Sequence, residues 1–368
     1  MTNQRILKEN FNLKFDFFNE STPPLIGVDI STSAVKMVEL SSSGKGGYRL
    51  EGYSISPIPK DSITDGNIVG LEQVSDAIKL AWKLLGSREK RAALALPSAS
   101  VITKKMLMGA DLREADMEAQ VEAEANQYIP FPLEEVNIDF QVIGTAPNNP
   151  DEVEVLIAAA RKEKIEDRVA AAEDAGLKVA VVDVDTYATE AAYSLVANQL
   201  PNGGKDQTVM IVDIGAVMMH INVLHDNNSV YTREQAFGGA QLTQEIQRRF
   251  GLSAEEAEIA KRKGGLPDSY ENEVLQPFVQ SLSTEVARAL QFFTSSTQYN
   301  RVDHIVLAGG CAAIKAVDVM VQDRTQVNTI VANSFQSMSL GSRVKQAQLA
   351  IDAPALLIAC GLAMRGVD

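Results

Sequence analysis

Cysteine is scarce in this chain of 368 residues. Cys311 and Cys360 are the only two, neither at metal-ligand nor at disulfide-scaffold spacing, so both read as small buried thiols in a reducing compartment. Histidine is as rare. His220, His225 and His304 are scattered and read as structural, which leaves no zinc cluster and no Ser-His-Asp arrangement to assemble. Basic residues are outnumbered, 34 Lys and Arg against 48 Asp and Glu, and the formal charge of -14 argues against a nucleic-acid surface while suiting a basic peptide partner. No apolar run approaches the roughly 18 residues of a membrane span and no signal peptide opens the chain, so the expectation is a cytoplasmic protein without a transmembrane segment. A P-loop is missing as well, because neither Gly44-Lys45 nor Gly204-Lys205 is followed by Ser or Thr.

What is present is an ordinary globular composition, 45% hydrophobic and 22% charged, with length enough for two domains with full cores. The organising stretch is LIGVDISTSAVKMVEL, Leu25 to Leu40. An apolar run ends at Asp29, Ser31, Thr32 and Ser33 supply a turn, and Val35 to Leu40 returns as a strand with Lys36 near the bend. Turn amides and hydroxyls can cradle phosphate oxygens, Lys36 can neutralise them, and Asp29 can hold hydrated magnesium. An ordinary hairpin with polar turn residues is the alternative. The design recurs 184 residues later, from Asp29 to Asp213, in VMIVDIGAVMMHINVL. A third element, HIVLAGGCAAIK, runs a buried strand into Gly309 and Gly310 and then a helix start, where paired glycines allow close backbone approach to a flat ligand.

Between these landmarks the pattern predicts a strand at Tyr48 to Ile55, a helix at Leu71 to Leu85 stopped by Gly86, and a strand at Arg91 to Leu96. After Pro97 a small α/β unit of about 75 residues follows, with a helix capped at Asp111 through Glu114, stopped by Pro130, then strands and a helix to about Ala175. The strand VAVVDVD and a small-residue helix after Thr186 close the first half, and Pro201 to Lys205 separates the halves. In the second half, two helices join at Gly251, with Ser253 and Glu256 as a capping box. The first 20 residues are ambiguous. Phe11, Leu13, Phe15 and Phe17 alternate like a strand, while Leu7, Phe11, Phe15 and Phe18 share a helical face, and a packed tail competes with an interfacial anchor.

Strand, acid, turn and strand occurring twice, with a Gly-Gly turn in the second half, resembles the actin-like ATPase superfamily. EANQYIPFPLEEVNIDFQVIG, LTQEI...GLSAEEAEIAK and the terminal DAPALLIACGLAMR resemble the PilM family of type IV pilus (fimbrium) assembly proteins, and more distantly the division protein FtsA. The resemblance implies an α/β actin-like fold of two RNase H-like halves with an FtsA 1C-like (SHS2-like) insert. Its domains would be an arm at 1-24, a first domain from 25-99, 176-205 and 345-368, an insert at 100-175, and a second domain at 206-344.

By position, the resemblance assigns Asp29, Ser31, Thr32, Ser33 and Lys36 to one phosphate hairpin, Asp213 and Gly215 to the other, and Gly309 and Gly310 to the adenosine turn, with Asp29 and Asp213 facing each other across ATP or ADP and Mg2+. Glu258 and Lys261 would flank the adenosine, a solvated helix face being the alternative. Asp185 would orient water as the catalytic residue, or else serve backbone amides at a helix N-terminus. Ser31 stands where many superfamily members have glycine, and Val217, Met218 and Met219 where many have hydroxyls. Fewer phosphate donors imply weak ATPase activity, or none. The resemblance further implies a peripheral platform on the cytoplasmic face of the inner membrane, serving pilus assembly and twitching motility with other platform and motor components. It would dock the basic, Asn-Leu-Leu-Pro type cytoplasmic tail of PilN in a groove between the first core and the insert, with Ile129, Pro130 and Phe131 as peptide contacts unless they are core packing. Self-association is left open. Two rivals are an FtsA-like division filament protein, which would ordinarily end in a linker and membrane helix, and an actin-fold sugar kinase, one branch of which needs a Cys/His zinc cluster.

Overall fold

The computed structural model describes residues 24–44, 47–146 and 149–367, and the arm preceding Pro24 lies outside them. The chain divides into two compact units, one containing residues up to Ala191 with Met338–Val344 and Ile358–Asp368, the other Ala192–Ser337 with Lys345–Leu357. The terminal segment expected with the first core is thus shared between the two.

In the first unit, β1 (Ile26–Ile30), β2 (Ala34–Gly44) and β3 (Gly47–Pro57) form the expected antiparallel run. A two-residue-strand hairpin follows, β4 (Ile63–Thr64) with β5 (Asn67–Ile68), which the hydrophobic pattern is too short to announce. Helix α1 (Leu71–Leu85) buries Val74, Ala77, Ile78, Ala81 and Leu85 on one face and ends at Gly86 in the left-handed region, as its spacing predicts. β6 (Arg91–Leu96) runs parallel to β1.

The insert is a three-stranded antiparallel sheet with β9 (Asn149–Arg161) between β7 (Val101–Gly109) and β8 (Val136–Ala146), and α2 (Glu114–Tyr128) lies on one face. Here the capping expectation is corrected: α2 begins at Glu114 behind Arg113, with no side-chain cap. β7 stays paired with β9 as far as Gly109, so Asp111 is used in the turn that follows and comes too early to cap. Helix α3 (Lys162–Asp174) returns to the first sheet, where β10 (Lys178–Val184) pairs parallel to β6. Strand order is β10-β6-β1-β2-β3, closed by the short strand Ser339–Leu340 on β3. Helix α4 (Asp185–Val196) follows β10.

The second unit repeats the plan. β11 (Thr208–Ile214), β12 (Met219–His225) and β13 (Asn228–Gln235) form an antiparallel run. Helices α5 (Gly239–Phe250), α6 (Ala254–Lys263) and α7 (Gln276–Ser296) follow, and the Ser253–Glu256 capping box is present. β14 (His304–Ala308) runs parallel to β11, and one 3-10 turn separates it from α8 (Val317–Thr325), so the helix start expected directly after Gly310 is delayed. β15 (Asn328–Val331) completes a sheet ordered β13-β12-β11-β14-β15. Its core joins Met210, Val212 and Ile214 of β11 to Leu282, Val286 and Phe293 of α7.

The C-terminal helical stretch Gln346–Gly366 is long and apolar enough, by length and composition, to cross a membrane. Its mean hydropathy marks it, although charged and polar residues interrupt it and leave no long unbroken apolar run. Of its most apolar window 56% is buried, and Ala359, Cys360, Leu362 and Ala363 are core residues. Close packing of this stretch on α4 is set by Gly361, where a Cβ would stand 1.8 Å from the Ala188 carbonyl oxygen.

Candidate nucleotide site

In the first unit Asp29 and Lys36 are directly opposed across the β1–β2 ladder, and Lys36 Nζ donates to Asp29 Oδ2 at 2.8 Å. Asp29 is only 6% exposed. Such a pair is costly to break, since either partner alone would be a poorly solvated charge. Both Ser31 N and Ser31 Oγ donate to the Ala34 carbonyl, at 3.1 and 2.9 Å, so the hydroxyl expected at phosphate is engaged in closing the turn. Thr32 and Ser33 are half-buried. Asp185 is the first residue of α4, and its Oδ1 accepts the Ser98 amide at 3.1 Å, which ties it to the turn after β6.

Three features of this unit were not legible in the sequence. Arg168 of α3 is 2% exposed and donates from Nε to Ala95 O at 3.1 Å and from Nη2 to Gly66 O at 2.9 Å. Burial pushes its pKa down, opposed by the charges of Asp185, Asp167 and Asp29. Asp183 of β10 is fully buried, with Oδ2 accepting Arg365 Nε at 2.7 Å and Oδ1 accepting Val184 N at 2.7 Å. Burial raises its pKa against the pull of Arg365. Glu190 of α4 is pushed up to about 7 by burial, with Arg365 and Lys105 opposing and Asp183 reinforcing the shift.

In the second unit the expected residues gather around the ends of β11 and β14. Gly215 N donates to Met218 O at 2.9 Å, closing the turn after Asp213, and the turn's own carbonyls receive the start of α5: Gly239 N reaches Gly215 O at 3.0 Å and Ala240 N reaches Ala216 O at 2.7 Å. Gly309 has φ +84°, and a Cβ there would lie 2.4 Å from Ile214 O and 2.5 Å from Asp213 Oδ1. At Gly310 a Cβ would meet nothing within 4 Å.

Glu258 and Lys261 are not a solvated face. Lys261 Nζ lies 2.5 Å from Glu258 Oε2, 2.8 Å from Thr243 Oγ1 and 3.4 Å from Gly239 O. Burial raises the Glu258 pKa, but Lys261, Thr243 and Arg262 outweigh it and hold the carboxyl below its usual range. Cys311 Sγ sits 3.7 Å from Gly215 O, its pKa pushed up to about 11 by burial. Gly239 and Thr243 belong to this cluster and were not singled out; the signal was the Gly238-Gly239 pair opening LTQEI.

The three peptide candidates sit at the end of α2. Ile129 is buried against Ala125, Val136 and Ala159, Pro130 is exposed, and the Phe131 ring lies 5.3 Å from the Arg161 guanidinium. They are therefore on the α2 side of the insert sheet. On its other face Ala158 and Ala160 pack with Leu96, Val182, Val184 and Tyr187, and the same strand alternation carries Lys105, Leu107 and Leu156 beyond that contact. Leu107 is 50% exposed.

Comparison with known proteins agrees with this architecture. Residues 27–367 match the family described as type IV pilus assembly protein PilM. The solved PilM-PilN type IV pilus biogenesis complex has a chain 26% identical to this one, with a TM-score of 0.77, covering 94% of this chain and 99% of that one. The ethanolamine utilization protein EutJ from Carboxydothermus hydrogenoformans shares the fold at 15% identity and TM-score 0.54, over 94% of this chain and 92% of its own. Cell division protein FtsA of Bacillus subtilis (strain 168) is 23% identical over 84% of this chain and 78% of its own length. With an actin-like fold and a family match over nearly its whole length, the chain belongs to the PilM family of type IV pilus assembly proteins.

Proposed function

We propose that this protein is a nucleotide-binding platform at the cytoplasmic face of the inner membrane that docks the basic cytoplasmic tail of PilN. The observation that carries the reading is the likeness to the PilM-PilN complex over 94% of the chain. ATP or ADP would take its phosphate contacts from the first hairpin, where Thr32, Ser33 and Lys36 stand and Asp29 would hold Mg2+ through water. The second unit would take the adenosine at Gly239, Gly309, Gly310, Glu258 and Lys261, with Asp213 as its acid. Fit to a flat ligand is supported by Gly310, whose missing side chain no protein contact demands. Bound Mg2+ would neutralise phosphate charge. Asp185 would orient water.

Hydrolysis is expected to be slow. The second turn carries Gly215, Ala216, Val217 and Met218, without a hydroxyl, and the Ser31 hydroxyl already serves its own turn, so few donors remain for developing charge.

For the tail, the open face of the insert sheet is the better surface than the Ile129–Phe131 corner. It combines the apolar Leu107 and Leu156 with Glu190 and Tyr187 of α4, and strand pairing puts Glu154 opposite Leu107 and Asp139 opposite Ala158 on the same face. An extended basic peptide would find apolar pockets and opposite charge there. Calorimetry with ATP-Mg2+ and with a synthetic PilN-type tail, separately and together, tests both sites. Leu107→Asp should abolish peptide binding and leave nucleotide binding within twofold; unchanged peptide affinity would move the groove elsewhere. A turnover above about 1 per second would refute the weak-ATPase reading.

A further inference from the structure

The phenylalanines of the N-terminal arm, Phe11, Phe15, Phe17 and Phe18, have no part in the proposed function. The arm holds three basic residues, Arg5, Lys8 and Lys14, and three acidic ones, Glu9, Asp16 and Glu20, without the basic excess that draws a segment onto anionic lipid. Its charges also have an order: Arg5 and Lys8 stand early, Asp16 and Glu20 late.

The outer face of α1 has the complementary order. Leu80 and Leu84, one turn apart, are 46% and 60% exposed. Beside them Glu72 and Asp76 are one turn apart, as are Lys79 and Lys83, and none of these four exposed residues has an ion-pair partner among the described residues. Like charges at that spacing repel. The helix dipole accounts for Glu72 in the first turn and Lys83 in the last, but not for Asp76, Lys79 or the two leucines. The chain enters the body at the lysine end of this helix: Ile26 of β1 faces Glu39, whose carboxylate accepts Ser87 Oγ just past α1 at 2.8 Å, and Ile26 shares a core with Leu85. Residues 19–24 reach about 20 Å when extended, enough to climb past a helix layer about 10 Å thick.

We propose that the arm, residues 1–23, docks parallel to α1 on the outer face of that helix in its own chain, with Phe11, Phe15 and Phe18 covering Leu80 and Leu84, Arg5 and Lys8 at Glu72 and Asp76, and Asp16 and Glu20 at Lys79 and Lys83. The tether at Pro24 fixes the direction of the arm, and the two charge orders match only in that direction.

Cysteine pairs in the full-length protein test the docking, since the native Cys311 and Cys360 are both buried. Lys8→Cys is combined with Asp76→Cys or with Lys83→Cys, and disulfide formation under mild oxidant is followed on non-reducing gels. Position 83 lies nearer the tether, so an undocked arm would bring position 8 to it at least as readily as to position 76. Docking requires the opposite, with position 8 bonding to position 76 at least about fivefold faster and within one chain. Equal rates, or a faster reaction at position 83, overturn the proposal, and so does a dimeric product, which would put the arm on a second copy. The charge order is read by chymotryptic cleavage at the arm phenylalanines: Glu72→Lys with Asp76→Lys should speed it about fivefold, and adding Arg5→Glu and Lys8→Glu should bring it back within about twofold of wild type. No acceleration, or no return, also overturns the proposal. Flotation of the wild-type chain with phosphatidylglycerol vesicles, abolished by Phe15→Asp, would give the arm to the bilayer instead and refute it.

Discussion

The β1–β2 and β11–β12 hairpins have one backbone and two chemistries. Each closes through a four-residue turn, Ser31–Ala34 or Gly215–Met218, with the amide of the first residue donating to the carbonyl of the last. In each the acid faces the residue seven positions on, Asp29 against Lys36 and Asp213 against His220. The first turn keeps hydroxyls and pairs its acid with a lysine at 2.8 Å. The second has no hydroxyl, and its carbonyls cap α5. A repeated backbone therefore does not carry a repeated chemistry, since the first hairpin pairs its acid with a lysine while the second uses its turn carbonyls to receive the amides that open α5.

The largest effect should come where the second hairpin meets the β14 turn. Gly309→Ala puts a Cβ into Ile214 O and Asp213 Oδ1 at positive φ, and is expected to cost at least about 3 kcal/mol in chemical denaturation. Tolerance of this change would mean that the turn is not held by the hairpin. Next, Lys36→Ala should cost about 3 kcal/mol by stranding the buried Asp29. His220→Ala removes the equivalent partner in the second hairpin, which faces Glu234 at 3.6 Å in a half-buried pair, and should cost about 1 kcal/mol at most. Equal losses from the two would erase the contrast.

Between these in size is a pH effect away from both hairpins. Glu190 has its pKa raised to about 7, so between its unfolded value and 7 the native state binds the extra proton. Stability contributed by the protonated form is full at low pH and is lost as pH rises through about 7. Relative to Glu190→Gln, wild type should lose on the order of 2 kcal/mol or less between pH 5 and 8, read as denaturation midpoints, after discount for the partial exposure of the group. A flat difference would show that Glu190 is ionised throughout.

Both acids, the cation beside the first, the serine cap of α6 and the paired glycines were legible because each is written in neighbouring residues: alternation places the strands, a polar tripeptide places the bend, and Ser253-x-x-Glu256 places the cap. Asp111-x-x-Glu114 has the same spelling and does not cap, since the pairing of β7 with β9 fixes where the chain can begin to turn. Ile129, beside its prolines, reads either as a peptide contact or as core packing, and it is core, because the partners that bury it arrive from β8 and β9.

Local order was thus determined by the sequence itself: where strands bend, which bends carry acids, and which stretches are insert or core. Only the tertiary structure decided that Arg168 is buried against the carbonyls of Ala95 and Gly66, that Arg365 meets Asp183, 182 residues earlier, and that Lys261 is locked to Thr243. Those meetings depend on helix packing and sheet order, which bring together residues with no shared period, and a buried charge declares its partner only once the surrounding chain has removed the water.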